Sequence, residues 1–128
     1  MNLLLDTHIL LWALAKPKQL PDQAVKAIYQ ADNVFFSPVN LWEIGIKSSI
    51  WPEYVIKRIE DIHAGALKAN LQELLIDSAD ALFATQLPNV HRDPFDRLLI
   101  AQSHNNQYQL VTVDDKIAQY HMPYVLSV

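Results

Sequence analysis

The 128-residue chain contains no cysteine and only two glycines, Gly45 and Gly65. Without cysteine there is neither a disulfide framework nor a thiolate metal site. So little glycine also excludes the glycine-rich loops that cradle nucleotide phosphates. Positive charge is scarce: ten Lys and Arg stand against fourteen Asp and Glu, giving a net charge of −4 and a pI near 5.6. No global positive field draws such a chain to nucleic acid, so any polyanion must be held by metal or by a local basic patch. Long apolar runs are missing too. Leu3 to Ala15 is mostly apolar, but Asp6 and His8 interrupt it and no positive charge precedes it. It is also shorter than the ~20 residues a spanning helix needs. It reads as a buried strand followed by a buried helix face, and the expected location is the cytoplasm, away from membranes.

What is present is enough apolar material for one core. Hydrophobic residues make up 51% of the chain and charged residues 19%, a balance that argues against disorder and for a single domain over 1–128. Strand-like runs occur at Asn2–Leu5, Asn33–Phe36, Leu74–Ile76, Gln109–Val113 and Tyr124–Ser127. Between them, Ala24, Ile28 and Ala31 recur at helical spacing, as do Val55, Ile59, Ile62 and Ala66, and Phe95, Leu98, Leu99 and Gln102. Pro21, Pro38, Pro52, Pro94 and Pro123 stand near the proposed boundaries, where a missing N–H does least harm. Asp22, Ser37 and Ser78 are candidate caps for the helices that follow. Strand alternating with helix predicts an α/β fold with a mainly parallel sheet covered on both faces.

Four acidic residues fall where such a chain gathers its strand ends. Asp6 follows Leu3-Leu4-Leu5, and Asp114 follows Leu110-Val111-Thr112-Val113; Glu43 and Asp96 sit in Asn40-Leu41-Trp42-Glu43-Ile44 and Asp93-Pro94-Phe95-Asp96-Arg97. Ligands of open parallel sheets bind beyond the carboxyl ends of the strands. Carboxylates gathered there repel one another unless divalent cations neutralise them, so the pattern points to a metal site and to metal-dependent phosphodiester hydrolysis.

Each acid also has a structural reading. Asp6 can cap the helix it precedes. Glu43 lies in an otherwise apolar stretch, where an unpaired carboxylate is rare, and Lys47 one turn on can neutralise it. Asp93 reads as an N-cap before Pro94, with Asp96 as a first-turn carboxylate favoured by the helix dipole. Asp114 and Asp115 can open a helix after their strand, while Thr112 and Asp114 share one face of the extended chain. His8, His63, His91, His104 and His121 show no paired ligand spacing, and none is assigned to metal. Trp12, Trp42 and Trp51 read as core or dimer-surface residues rather than a base-stacking platform.

The segments Leu4-Leu5-Asp6-Thr7-His8-Ile9-Leu10-Leu11-Trp12, Trp42-Glu43-Ile44-Gly45-Ile46-Lys47, His91 to Gln102 and Leu110-Val111-Thr112-Val113-Asp114 resemble PIN-domain ribonucleases, specifically toxins of the VapC type. The match covers nearly the whole chain in the family's order. It implies a three-layer α/β/α sandwich and an endoribonuclease dependent on Mg²⁺ or Mn²⁺. It further implies a homodimer and an antitoxin that blocks the site. By motif position, Asp6, Glu43, Asp96 and Asp114 take the family's acidic quartet as metal-binding and catalytic residues, with Asp93 accessory. Lys47, Arg92 and Arg97 are the nearest candidates for contacting RNA phosphates. Ser48 to Glu53 departs from the more basic stretch often found in members, which bears on the choice of RNA.

Three rivals stand beside this reading, of which a binding module that keeps the fold without catalysis is disfavoured by the complete acidic set. A phosphoacceptor signalling domain also gathers aspartates at strand ends, yet Asp6 has no acidic neighbour and Met122-Pro123-Tyr124 carries no Lys. A housekeeping RNA-processing nuclease would share the site without the antitoxin.

Overall fold

Leu3, Leu4 and Leu5 are consecutive apolar residues because their strand is covered on both faces, the pattern of a parallel sheet between two helical layers. In the computed structural model, which describes residues 1–52, 58–89, 92–120 and 124–128, five strands form one sheet. They are β1 (Asn2–Leu5), β2 (Asn33–Phe36), β3 (Gln72–Glu73), β4 (Gln109–Thr112) and β5 (Val125–Ser127). Every pairing is parallel and the order is β3-β2-β1-β4-β5. Leu4 sits between Phe35 and Leu110, which fixes the register at the centre.

The helices are α1 (Thr7–Ala15), α2 (Asp22–Gln30), α3 (Pro38–Ser48), α4 (Ile59–Lys68), α5 (Ser78–Gln86), α6 (Pro94–Asn106) and α7 (Asp115–Ala118), with a 3-10 turn at Pro17–Gln19. Successive strand residues point to opposite faces, so the core divides in two. Leu3, Leu5, Phe36 and Val111 pack with Ile9 and Leu10 of α1, Ala24 and Ala27 of α2, and Ala66 of α4. Leu4, Phe35 and Leu110 face the other way, onto Val39 of α3, Phe95, Leu99 and Ile100 of α6, and Ile117 of α7. Ile44 of α3 joins Leu11 and Ile62 in a third, smaller cluster. This is the expected α/β sandwich. Each fully buried Leu or Ile contributes roughly 1.5–3 kcal/mol relative to exposure. Among the described residues no helix is long and apolar enough to cross a membrane.

Several boundaries differ from the sequence expectation. The third strand is Gln72–Glu73, not Leu74–Ile76, because only these residues pair with Phe35 and Phe36 at the sheet edge. Leu75 is left largely exposed in the connection to α5. The strands expected to end at Val113 and begin at Tyr124 are each one residue shorter there. Ser37 caps α3 as expected, whereas Pro21 precedes α2 and Asp77, with a reciprocal bond to Asp80, caps α5 in place of Ser78. Trp12 is half-buried and packs against the first core cluster, whereas Trp42 and Trp51 are exposed. Val55, His91, His121 and Pro123 lie outside the described residues.

Candidate metal centre

The chain runs outward from β1 to β3 on one side of the sheet and from β4 to β5 on the other, so the order reverses between β1 and β4. A crevice opens beyond the strand ends at such a point. Asp6 leaves β1 there, and Asp114 follows β4. The backbone N–H of Asp6 donates to the Val111 carbonyl at 3.0 Å, tying the two strand ends together. Asp6, Glu43, Asp93, Asp96 and Asp114 line one cavity of about 290 Å³ with His8, Lys47 and Lys116.

Asp6 is the N-cap of α1: one oxygen accepts the His8 N–H at 3.3 Å, and the other accepts the Thr112 hydroxyl at 2.5 Å. Thr112 in turn accepts the Asp114 backbone N–H at 2.9 Å, so its hydroxyl links two of the acids. Glu43 projects from α3, whose start is closed by Ser37 and Asn40: Ser37 Oγ accepts the Val39 N–H and Asn40 Oδ1 the Ser37 N–H. Asp93 caps α6, accepting the N–H groups of Phe95 and Asp96 at 2.9 and 3.4 Å. That cap places Asp96 in the first turn, its carboxylate buried. Asp114 caps α7 through the Lys116 N–H at 2.8 Å. Asp115, one residue on, is exposed and does not line the cavity.

Lys47 donates to Oε2 of Glu43 at 2.5 Å and to Oδ2 of Asp93 at 3.2 Å. Oxygens of Glu43, Asp93 and Asp96 lie within 4.8 Å of one another; Asp6 and Asp114 line the same cavity outside that trio. Burial, then the charges of Asp6, Asp93, Glu43 and Asp114, push the Asp96 carboxyl up to about 9. Burial also raises Asp6, with Glu43 adding and the Thr112 hydrogen bond and His8 pulling back. For Lys47 burial disfavours the charge, but its bonds to Glu43 and Asp93 outweigh that and hold the ammonium above its ordinary value. An all-oxygen, carboxylate-rich set gathered in one cavity is the donor chemistry of a hard divalent cation. The residues fit such an ion.

Three groups went unread in the sequence. Thr7 Oγ1 donates to Glu43 Oε1 at 2.5 Å, and Asn40 Nδ2 donates to Thr7 Oγ1 at 3.0 Å and to the Leu5 carbonyl at 3.1 Å. Asn40 left a signal, a buried amide three residues before Glu43 in an apolar run, whereas Lys116 at the cavity wall left none. The guanidinium of Arg97 donates to the carbonyls of Ala84, Leu87 and Pro88. Arg92 is exposed beside Asp93.

Residues 3–121 match the family model described as the PIN domain. No curated protein sequence matches the chain. Among solved structures, it is similar to VapBC-1 from nontypeable Haemophilus influenzae, with 18% identity, a TM-score of 0.70 and coverage of 99% of this chain and 98% of that one. VapBC2 from Rickettsia felis, bound to a promoter DNA fragment, gives 16%, 0.68, 100% and 98%. FitAcB from Neisseria gonorrhoeae gives 14%, 0.65, 98% and 96%. At these identities the structures speak for the fold, while the family match spans nearly every element that carries an acid of the cavity. The chain belongs to the PIN-domain family.

Proposed function

We propose that this PIN domain, one domain over 1–128, is a Mg²⁺- or Mn²⁺-dependent endoribonuclease and the toxin of a toxin–antitoxin pair. PIN membership supports a nuclease of the hydrolase class. The observation that carries the metal dependence is the convergence of Asp6, Glu43, Asp93, Asp96 and Asp114 on a single cavity at the strand-order switch. Asp6, Glu43, Asp96 and Asp114 would hold the ion, with Asp93 accessory. When bound, a divalent cation supplies the charge that lowers the pKa of an attacking water and offsets the charge on the leaving oxygen.

The chain's own residues do the rest. Thr7, Asn40 and Thr112 fix the rotamers of Glu43 and Asp6, so the acids need little reorganisation. Lys116 and Lys47 at the cavity, with Arg92 beside it, are the local positive charge available to RNA phosphates in a chain of net charge −4. Arg97, bonded to three carbonyls, serves the fold first. The toxin assignment draws support from likeness to structures described as VapBC and FitAcB and to a toxin–antitoxin complex from Klebsiella pneumoniae. An antitoxin contact and a homodimer both need apolar surface, and Trp42, Ile46, Ile50 and Trp51 expose it on and just after α3. The proposed setting is the cytoplasm.

Two experiments test this. Cleavage of single-stranded RNA should stop with EDTA and return with Mg²⁺ or Mn²⁺. Expression of the chain alone should arrest growth, and co-expression of an adjacent small gene should relieve the arrest. An active enzyme that leaves growth untouched would remove the toxin half of the proposal.

A further inference from the structure

We propose that Lys47 is a resident counter-cation that shares Glu43 and Asp93 with the divalent ion, so that the ion binds by displacing the Lys47 ammonium. The inference rests on the metal-site reading above and deepens it.

The geometry behind it is a division of labour among carboxylate oxygens. On Glu43, Oε1 is held by the Thr7 hydroxyl, itself held by Asn40, and Lys47 takes Oε2. On Asp93, Oδ1 caps α6 through the N–H groups of Phe95 and Asp96, and Lys47 takes Oδ2. On each acid Lys47 therefore bonds a different oxygen from the one held by Thr7 or by the N–H groups of α6. Those two acids and Asp96 are the trio whose oxygens lie within 4.8 Å of one another, the spacing at which one cation could bridge them.

One ammonium carries a single positive charge against the two carboxylates it bonds, while Mg²⁺ or Mn²⁺ carries two. Exchange thus neutralises more of the cluster, and the Lys47 side chain, 18% exposed, stands where it can swing toward solvent. Loss of the Lys47 charge then has opposite effects on the two states. The metal-free cluster is left less neutralised and the protein less stable; the loaded protein, in which Lys47 has already left, is little changed. An ordinary i,i+4 helix pair behaves differently, since its removal weakens both states alike.

Lys47 is on this view a positioning residue for the metal site, and calorimetric titration of the metal-free protein with Mn²⁺ tests it. Lys47→Met keeps the aliphatic stem, and Lys47→Gln keeps a hydrogen-bond donor should the first variant fold poorly. Both should bind Mn²⁺ about tenfold more tightly than wild type, a ratio equal to about 1.4 kcal/mol. Both should melt lower without metal and gain more on adding Mn²⁺, so that the loaded proteins converge in melting temperature. Lys47→Arg, which keeps the charge, should not tighten binding. Unchanged or weaker Mn²⁺ binding in Lys47→Met and Lys47→Gln, with an equal loss of melting temperature with and without metal, would overturn the exchange and leave the metal site standing. Failure of wild type itself to bind Mn²⁺ would overturn both.

Discussion

The Thr7 hydroxyl donates to Oε1 of Glu43 at 2.5 Å, joining two buried residues 36 positions apart. Thr7 opens α1 directly after Asp6, so one residue's backbone and side chain tie the first acid to the second.

Thr7→Val keeps the shape of the side chain and removes the donor. With an acceptor of Glu43 left unpartnered in a buried site, the variant should lose about 1–3 kcal/mol of unfolding free energy in urea. Thr7→Ser should stay near wild type. Equal stability of all three proteins would show that Glu43 finds another donor.

Asp96 gives a pH test whose sign is set by its raised pKa. Unfolded, the carboxyl titrates near 3.8; folded without metal, it holds its proton to about 9. The folded state therefore binds more protons between those limits, and this group's contribution to stability falls as pH rises through them, by up to about 1.4 kcal/mol per pH unit. Asp96→Asn does not titrate. In EDTA, its stability advantage over wild type should widen from pH 5 to pH 8, measured by urea unfolding, and a constant gap would contradict the assignment.

Asp114 and Asp115 are neighbours with different surroundings, one lining the cavity and the other exposed in the first turn of α7. RNA cleavage should fall far more in Asp114→Asn than in Asp115→Asn. The reverse order would move the fourth ligand by one residue.

How much of this was readable beforehand varies by element. The apolar runs of β1 and β2 end where expected because each strand is buried on both sides, and the parallel sheet follows from their alternation with helices. The edge strand β3 leaves no apolar signal because its two residues are polar and exposed, while the more strand-like Leu74-Leu75-Ile76 belongs to the connection after it. The acids themselves stand out as charges in apolar or strand-end segments. Their partners do not: that Thr7 and Asn40 hold Glu43, or that Thr112 holds Asp6, depends on residues 33 to 106 positions apart meeting in space. Nor does the sequence show that the guanidinium of Arg97 meets the carbonyls of Ala84, Leu87 and Pro88 at and beyond the end of α5.

Gln107 ends α6 with φ of 58°, a left-handed conformation that costs an L-residue with a Cβ roughly 1 kcal/mol. Gln107→Gly should stabilise the protein by about that amount, seen as a higher urea midpoint at unchanged slope. A lower midpoint would mean that the Gln107 side chain contributes more than the backbone strain removes.

The central claim, that the buried carboxylates hold the ion required for RNA cleavage, is tested most directly by comparing wild type with Asp6→Asn, Glu43→Gln and Asp96→Asn in single-stranded RNA cleavage across a Mn²⁺ titration. After dialysis against EDTA, wild type should be inactive and recover with Mn²⁺. Each variant should keep its circular-dichroism spectrum yet remain at least about a hundredfold slower at saturating Mn²⁺. Cleavage by wild type that survives EDTA, or a folded Glu43→Gln that cleaves as fast as wild type, would contradict the claim.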